Sequence, residues 1–414
     1  MNFRKWLRLL GPGLLYAGAA IGVSHLVQST RAGANFGFEL LGIILLANAL
    51  KYPFFRFAPQ YTAITGKNII EGYHLLGKWA VWLFFAVSLL SMFVLQAGVS
   101  LVTAGLLEQL INTGLPVAML TFILLITVAL LLIFGKYRLL DGLIKYVMLV
   151  LVITLFMAVF MAFIKNPPGE IHLFFYDFSL KNPVHLAFLI AFVGWMPAPL
   201  DVSVWQSLWT EAKNKSFHSH TDLRAMLTDF HTGYLATIIT AIGFLTLGAL
   251  IMHGSGKGFH SGSVAFAGQL IELFTVSVGA WAFWIIALAA FTTMFSTTLT
   301  CYDAYTRVMS KTTRILFPGW KKEKYLTLFW MLILLLGTMI ILLFFSRNMK
   351  QMVDFATTLS FVLAPVIALL NYLVITGKEI PPSHKPLGWL KVYALLSLII
   401  LIAFSIFYLY WKFL

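Results

Sequence analysis

The chain has 414 residues, of which 60% are hydrophobic and 11% charged, and its mean hydropathy is +0.89. Soluble domains carry about 25% charged residues, so this composition excludes an ordinary soluble fold and points to an integral membrane protein. The formal net charge of +14 reads as membrane orientation and attraction to anionic lipid, with no nucleic-acid partner expected.

Apolar runs of about 20 residues, enough to cross a bilayer as a helix, recur along the whole length. In chain order they place spans near 9–29, 36–57, 79–108, 115–134, 141–164, 184–209, 230–252, 278–302, 325–345, 353–376 and 388–412. The expected fold class is therefore all-α, with about 11 transmembrane helices and short loops. Barrel strands are not expected, because they would alternate polar and apolar residues over about ten positions.

Most basic residues fall on one side of this layout. They include Arg4, Lys5, Arg8, Lys67, Lys78, Lys136, Arg138, Lys145, Lys213, Lys215 and Arg224. The run from Arg307 through Lys311, Arg314, Lys321 and Lys322 to Lys324 follows, then Lys378 and Lys385. The positive-inside rule puts the N-terminus in the cytoplasm, and an odd span count puts the C-terminus outside a cytoplasmic (inner) membrane. The first apolar run is too long, and too interrupted, for a cleavable signal peptide. Cys301 stands alone, so no disulfide framework or cysteine-based metal cluster is expected.

Two spans are broken in the middle, five spans apart. The first, from Gly11 to Ala34, is interrupted by Gly22, Ser24 and His25. The second, from Ala191 to Trp209, is interrupted by Met196, Pro197, Ala198 and Pro199. Interrupted helices leave bare backbone groups that are tolerated only where protein or a polar cavity covers them. Paired interruptions in two halves of a membrane chain point to a transporter's central site. Residues 1–165 and 184–376 then form two inverted five-helix halves of one transmembrane domain, with 388–412 as an extra helix.

Asp201 is the most unusual side chain. A carboxylate at mid-membrane depth costs about 2.5–3.5 kcal/mol on insertion scales, so it needs a partner or a function. Capping of the half-helix that starts near Pro199 is the plainer role, and binding of a cation the sharper one. His25 and Gln28 are three residues apart and share a helix face. An imidazole can ligate a transition metal or carry a proton, and Met196 offers a soft thioether. Asp201, His25 and Met196 are thus the candidate metal ligands, and Gly22, Ser24, Gln28, Val193 and Trp195 complete the candidate substrate site. The carbonyls of Gly22 and of Val193 or Trp195 are candidate oxygen ligands.

Asn48, Gln96, Thr293, Ser296 and Thr297 are candidates to line a pathway. Thr292, Thr298, Thr300 and Asn371 are of the same kind, although such hydroxyls more often bond within or between helices. His218 and His220 in a polar loop are a weak metal signal. No phosphate-binding lysine loop, HExxH sequence or serine nucleophile elbow is present, so no enzyme activity and no resident cofactor are expected.

Several stretches resemble the Nramp (natural resistance-associated macrophage protein) family of divalent-metal transporters. They are Gly11-Pro12-Gly13, Thr30 to Ala34 leading to Phe36-Gly37, Leu45 to Asn48, Thr65 to Asn68, and Met196-Pro197. The resemblance runs in order over roughly residues 11–310. It implies a LeuT-like fold and transport of a divalent metal ion such as Mn²⁺ or Fe²⁺, with proton coupling in many members.

The departures fall at the family's metal site. Gly22, Val23, Ser24 and His25 stand where the family has Asp-Pro-Gly-Asn, and Ala198 stands where it has a histidine after Met-Pro. Gln96 and Ser100 lie near the level where proton-coupled members carry acids. These departures keep two other expectations open: a transporter of an organic cation or amine, and a non-transporting membrane sensor or subunit.

Overall fold

In the computed structural model, residues 11–135, 137–167, 171–173, 176–217, 222–256, 258–320 and 322–413 are described, without the side chains of 137–148, 216 and 217. His218, His220, Lys136 and Lys321 lie outside the described residues, as do Arg4, Lys5 and Arg8. The described residues form helices and connecting turns, with no strand among them.

The first broken span comprises α1 (Pro12–Ala20), a non-helical step at 21–22, a π-helical segment Ser24–Ser29, and α2 (Thr30–Phe36). Pro12 suits the first turn of α1, where no backbone donor is required. Span 2 is α3 (Leu41–Thr65), followed by a short surface helix α4 (Ile69–Leu76). Spans 3, 4 and 5 are α5 (Lys78–Ile111), α6 (Val117–Phe134) and α7 (Tyr137–Lys165).

The second broken span comprises α8 (Pro183–Gly194), an extended stretch containing the cis Met196–Pro197 bond, and α9 (Asp201–Phe217). Span 7 is α10 (Leu223–Ile251). A helix α11 (Ser263–Val278) precedes span 8, which is α12 (Phe283–Leu316). Spans 9, 10 and 11 are α13 (Glu323–Phe345), α14 (Met349–Thr376) and α15 (Gly388–Phe413). Eight of these helices are long and apolar enough to cross a membrane unaided. The half-helices α1, α2 and α8 are too short to do so singly.

The two broken spans sit inside the bundle, against α3, α10, α12 and α14. The outer helices α6, α13 and α15 show most of their apolar surface, including Phe134, Leu343 and Phe404. Such surface is at home only in hydrocarbon. Trp79, Trp281, Trp284 and Trp389 are exposed near the starts of α5, α12 and α15, as aromatic anchors at a membrane–water boundary.

The Thr65-Gly66-Lys67-Asn68 stretch is a helix-to-helix corner. Gly66 has φ +73°, and its N–H donates to the Thr62 carbonyl to close α3. Asn68 caps α4 by accepting from the Glu71 N–H at 3.2 Å. At this corner the Glu379 carboxylate receives Lys67 Nζ at 2.6 Å and the Tyr61 hydroxyl at 2.6 Å.

The broken first span is set against α10 backbone to backbone. A methyl group on Gly33 would lie 1.9 Å from the Leu245 carbonyl oxygen, and one on Gly248 would lie 2.2 Å from that of Thr30. Gly13 and Gly233 form a second reciprocal pair lower on the same two elements. Small residues that let helices approach this closely gain van der Waals contact, the main attraction between helices in lipid. The start of α1 is fixed by Asp229 of α10, whose carboxylate accepts from the N–H groups of Gly11 (3.0 Å) and Gly13 (2.8 Å). A carboxylate there satisfies orphan donors and the positive end of the helix dipole.

Gly33→Ala should therefore cost about 1–3 kcal/mol of stability through overpacking. Gly388→Ala, where nothing lies within 4 Å, should be neutral. Thermal unfolding in detergent, read side by side for both variants, checks this.

The corner gives a pH dependence. Burial pushes the Glu379 carboxyl up, but the hydrogen bonds from Lys67 and Tyr61, with the Lys67 charge, hold it below its ordinary value of 4.5. The bond to Glu379 and its charge raise Lys67 above 10.5. The Glu379 contribution is present above the unfolded carboxylate pKa and lost as pH falls through the folded one. That of Lys67 is present below 10.5 and lost as pH rises through its raised value. Unfolding temperature measured against pH should fall below the carboxylate range, with a smaller fall in Glu379→Gln.

Candidate functional site

The two breaks face one buried cavity. Ala20, Val23 and Ser24 of the first break and Pro199 and Val202 of the second line it, together with Cys301 of α12. Its volume is about 10 Å³, and its walls are mainly apolar.

The carbonyl groups loosened by the first break are taken up within the protein. Gly18 O accepts from Thr297 Oγ1 at 3.0 Å, and Ala20 O accepts from the Ser24 hydroxyl. Gly22 O accepts from the backbone N–H groups of His25 (3.1 Å) and Leu26 (2.9 Å). The expectation that the Gly22 carbonyl is free for a cation is therefore corrected: the chain turns helical again at Val23 and uses it. Gly22 itself is required by space, since a methyl group there would lie 2.7 Å from Thr297 Cγ2.

His25 is fully buried and turned toward α10. Its Nε2 lies 2.9 Å from the Thr237 carbonyl oxygen, so Nε2 carries a proton and donates. Its Nδ1 lies 2.7 Å from Ser24 Oγ, whose single proton is shared between this nitrogen and the Ala20 carbonyl. Both ring nitrogens are thus engaged.

Gln28 belongs to a different group, at the α2 end of the span. Its Nε2 donates to Asp354 Oδ1 (3.1 Å) and more weakly to Thr357 (3.4 Å), while its Oε1 accepts from Arg31 Nη1 at 2.8 Å. Arg31 also grips Asp354 bidentately, at 2.6 and 3.0 Å, and lies 5.1 Å over the Phe188 ring. This clasp joins α2, α8 and α14.

At the second break, the carbonyls of Val193 and Gly194 accept from Lys51 Nζ at 2.7 and 2.8 Å. Trp195 Nε1 donates to Ser360 Oγ at 2.7 Å. Met196 is fully buried in an apolar cluster with Phe36, Ile44, Phe192 and Leu245, away from the cavity lining.

Asp201 opens α9 and is buried. Its carboxylate has a long contact to Ser91 Oγ (3.5 Å), and Ser91 Oγ in turn accepts from the Tyr305 hydroxyl (3.2 Å). Asp201 and His25 thus bond to different helices, α5 and α10. Among the described residues, no group of three or more His, Cys, Asp or Glu is placed to hold a metal ion.

The pathway candidates mostly bond within the bundle. Thr293 donates to Ala289 O, Thr292 to Leu288 O and Thr300 to Ser296 O, each one helical turn back. Thr298 pairs with Thr103 across to α5 at 2.7 Å. Asn371 accepts from Tyr73 (2.5 Å) and donates to Phe54 O and Ser203, tying four helices together. Asn48 Oδ1, Gln96 Oε1 and Ser296 Oγ are buried without a partner among the described residues and retain the capacity to meet a polar passenger.

Lys51, Arg31, Asp354, Ser91 and Tyr305 were not singled out from the sequence. A lysine inside the apolar run from Leu45 to Phe57 is itself a signal of function in a membrane span. Nothing local in the sequence marks the other four as partners, because their partners lie on distant helices.

The family model for natural resistance-associated macrophage protein-like (Nramp) proteins matches residues 13–411. An uncharacterized protein of Pasteurella multocida is 38% identical over 401 residues, covering 96% of this chain and 90% of that one. A mutant of the Eremococcus coleocola manganese transporter superposes with a TM-score of 0.69 at 16% identity, covering 98% of this chain and 87% of that one. MhsT in complex with L-phenylalanine superposes with a TM-score of 0.66 at 15% identity, covering 96% and 97%. These two structural likenesses establish the LeuT-like fold. The match over nearly the whole length means that this chain belongs to the Nramp family.

Proposed function

We propose that this protein is a secondary transporter that carries a divalent metal ion, such as Mn²⁺ or Fe²⁺, across a cytoplasmic membrane by alternating access. The observation that carries this reading is the meeting of two helix breaks at one buried cavity. The fold shared with a manganese transporter, in a chain of the same family, supports the same cargo. Residues 1–165 and 184–376 would move as inverted halves, with the N-terminus cytoplasmic and the C-terminus outside.

In this reading Asp201 supplies the charge, and His25 and Met196 supply nitrogen and sulfur once the half-helices rotate toward the cavity. Ser24 and the residues around Trp195 shape the pocket. With one carboxylate and no aspartate at Gly22, the ion keeps part of its water, and hard ions such as Mg²⁺ bind weakly. His25 carries the coupled proton, in place of acids absent at Gln96 and Ser100.

A second reading, transport of an organic amine, draws support from one observation: the Val193 and Gly194 carbonyls hold an ammonium group, that of Lys51. Uptake of Mn²⁺, Fe²⁺, Co²⁺ and Mg²⁺ into proteoliposomes separates the two. Asp201→Ala should reduce Mn²⁺ uptake about tenfold or more, the equivalent of about 1.4 kcal/mol of lost binding. His25→Ala should reduce it and flatten its pH dependence. Unchanged flux in both variants overturns the ligand assignment. Amine flux without metal flux favours the second reading, and no flux of either kind points to a sensor or subunit.

The Arg31–Asp354 clasp would close one end of the pathway. Arg31→Met should lower stability by about 2 kcal/mol, the scale of hydrogen bonds to charged groups. It should also raise the labelling rate of a cysteine placed at Ser24. The charge-swapped pair Arg31→Asp with Asp354→Arg should recover part of both changes.

A further inference from the structure

Lys51 is completely buried in the middle of α3. Its Nζ makes two short hydrogen bonds, to the carbonyls of Val193 (2.7 Å) and Gly194 (2.8 Å). Among the described residues no carboxylate pairs with it. These two carbonyls end α8, where helical donors run out and the dipole is negative, and the Val193 carbonyl also accepts from the Met196 N–H at 3.2 Å.

A lysine at this depth costs roughly 2.5–3.5 kcal/mol even on the lenient insertion scale, and an apolar side chain would fill the same space without that cost. Packing alone therefore does not account for it. The carbonyl ends of discontinuous helices are the groups that coordinate small cations in membrane proteins. Charge-assisted bonds to such oxygens are shorter and stronger than neutral ones, which fits the observed distances.

We propose that Lys51 is a tethered cation that fills a cation site made by the Val193 and Gly194 carbonyls at the end of α8. A small organic ammonium ion enters that site only when the Lys51 side chain is removed or swings out. This inference does not depend on what the protein carries. Beside the site lies an apolar recess of about 620 Å³ between α3, α8, α14 and α15, which Leu50 and Val193 help to line.

The test is thermal unfolding of the purified full-length protein in detergent, with ethylammonium chloride at millimolar concentration and sodium chloride at equal ionic strength as control. Lys51→Ala should unfold several degrees below the wild type, and ethylammonium should recover at least half of that loss. Wild type and Lys51→Met should gain nothing, because the side chain still occupies the space. Lys51→Met should itself be less stable than wild type, since it leaves the Gly194 carbonyl without a donor and the Val193 carbonyl with only the Met196 N–H at 3.2 Å.

If Lys51→Ala does not fold, Lys51→Arg and Lys51→Met decide the matter. The proposal requires the arginine variant, which keeps a cation, to be the more stable of the two. A methionine variant as stable as the wild type, or equal stabilisation of all variants by ethylammonium, overturns the proposal.

Discussion

Backbone hydrogen bonding inside the membrane governs this structure. Hydrocarbon offers no donor or acceptor, so each carbonyl released by a helix break must find one in the protein. Thr297 takes Gly18, Ser24 takes Ala20, the returning backbone takes Gly22, and Lys51 takes Val193 and Gly194. The breaks are held in place from α3 and α12, and the glycine pairs with α10 bring the first span close enough for His25 to reach Thr237.

This arrangement bears on function. The cavity between the breaks is small and apolar because its oxygen atoms are already engaged. A passenger ion therefore has to exchange places with internal partners. The most available polar groups are Asp201, which has a long contact to Ser91, and the oxygens of Asn48, Gln96 and Ser296, unpartnered among the described residues. Charged groups at the two ends of the bundle bind segments far apart in sequence: Arg31 with Asp354, Asp229 with the start of α1, and Lys67 with Glu379.

Much of the fold was legible in the sequence. Length and hydropathy place the spans, because a bilayer imposes a minimum helix length. Glycine at the first break and the two prolines at the second mark where the ladder fails. The helix α11 was missed because its apolar run, Ser263–Val278, is too short to cross and merged with the polar loop before it. The short α4 was missed because it is surface structure between two spans.

The site was less legible, for a geometric reason. Sequence spacing says which residues share a helix face, but not which neighbour that face meets. The π-helical winding of Ser24–Ser29 changes the phase of the residues within it, and His25 meets α10 while Gln28 meets α14. The role of Lys51 is not legible from the breaks, because the donor that satisfies the second break comes from an unbroken span.

The central claim is that the two breaks enclose one cation site on the Asp201 side of the cavity. The most direct test is an anomalous-diffraction measurement on crystals soaked in Mn²⁺. The account predicts one strong peak between Val23 and Pro199, within ligand distance of the Asp201 carboxylate. Anomalous density confined to loop histidines or other surface groups, with none between the breaks, would contradict it.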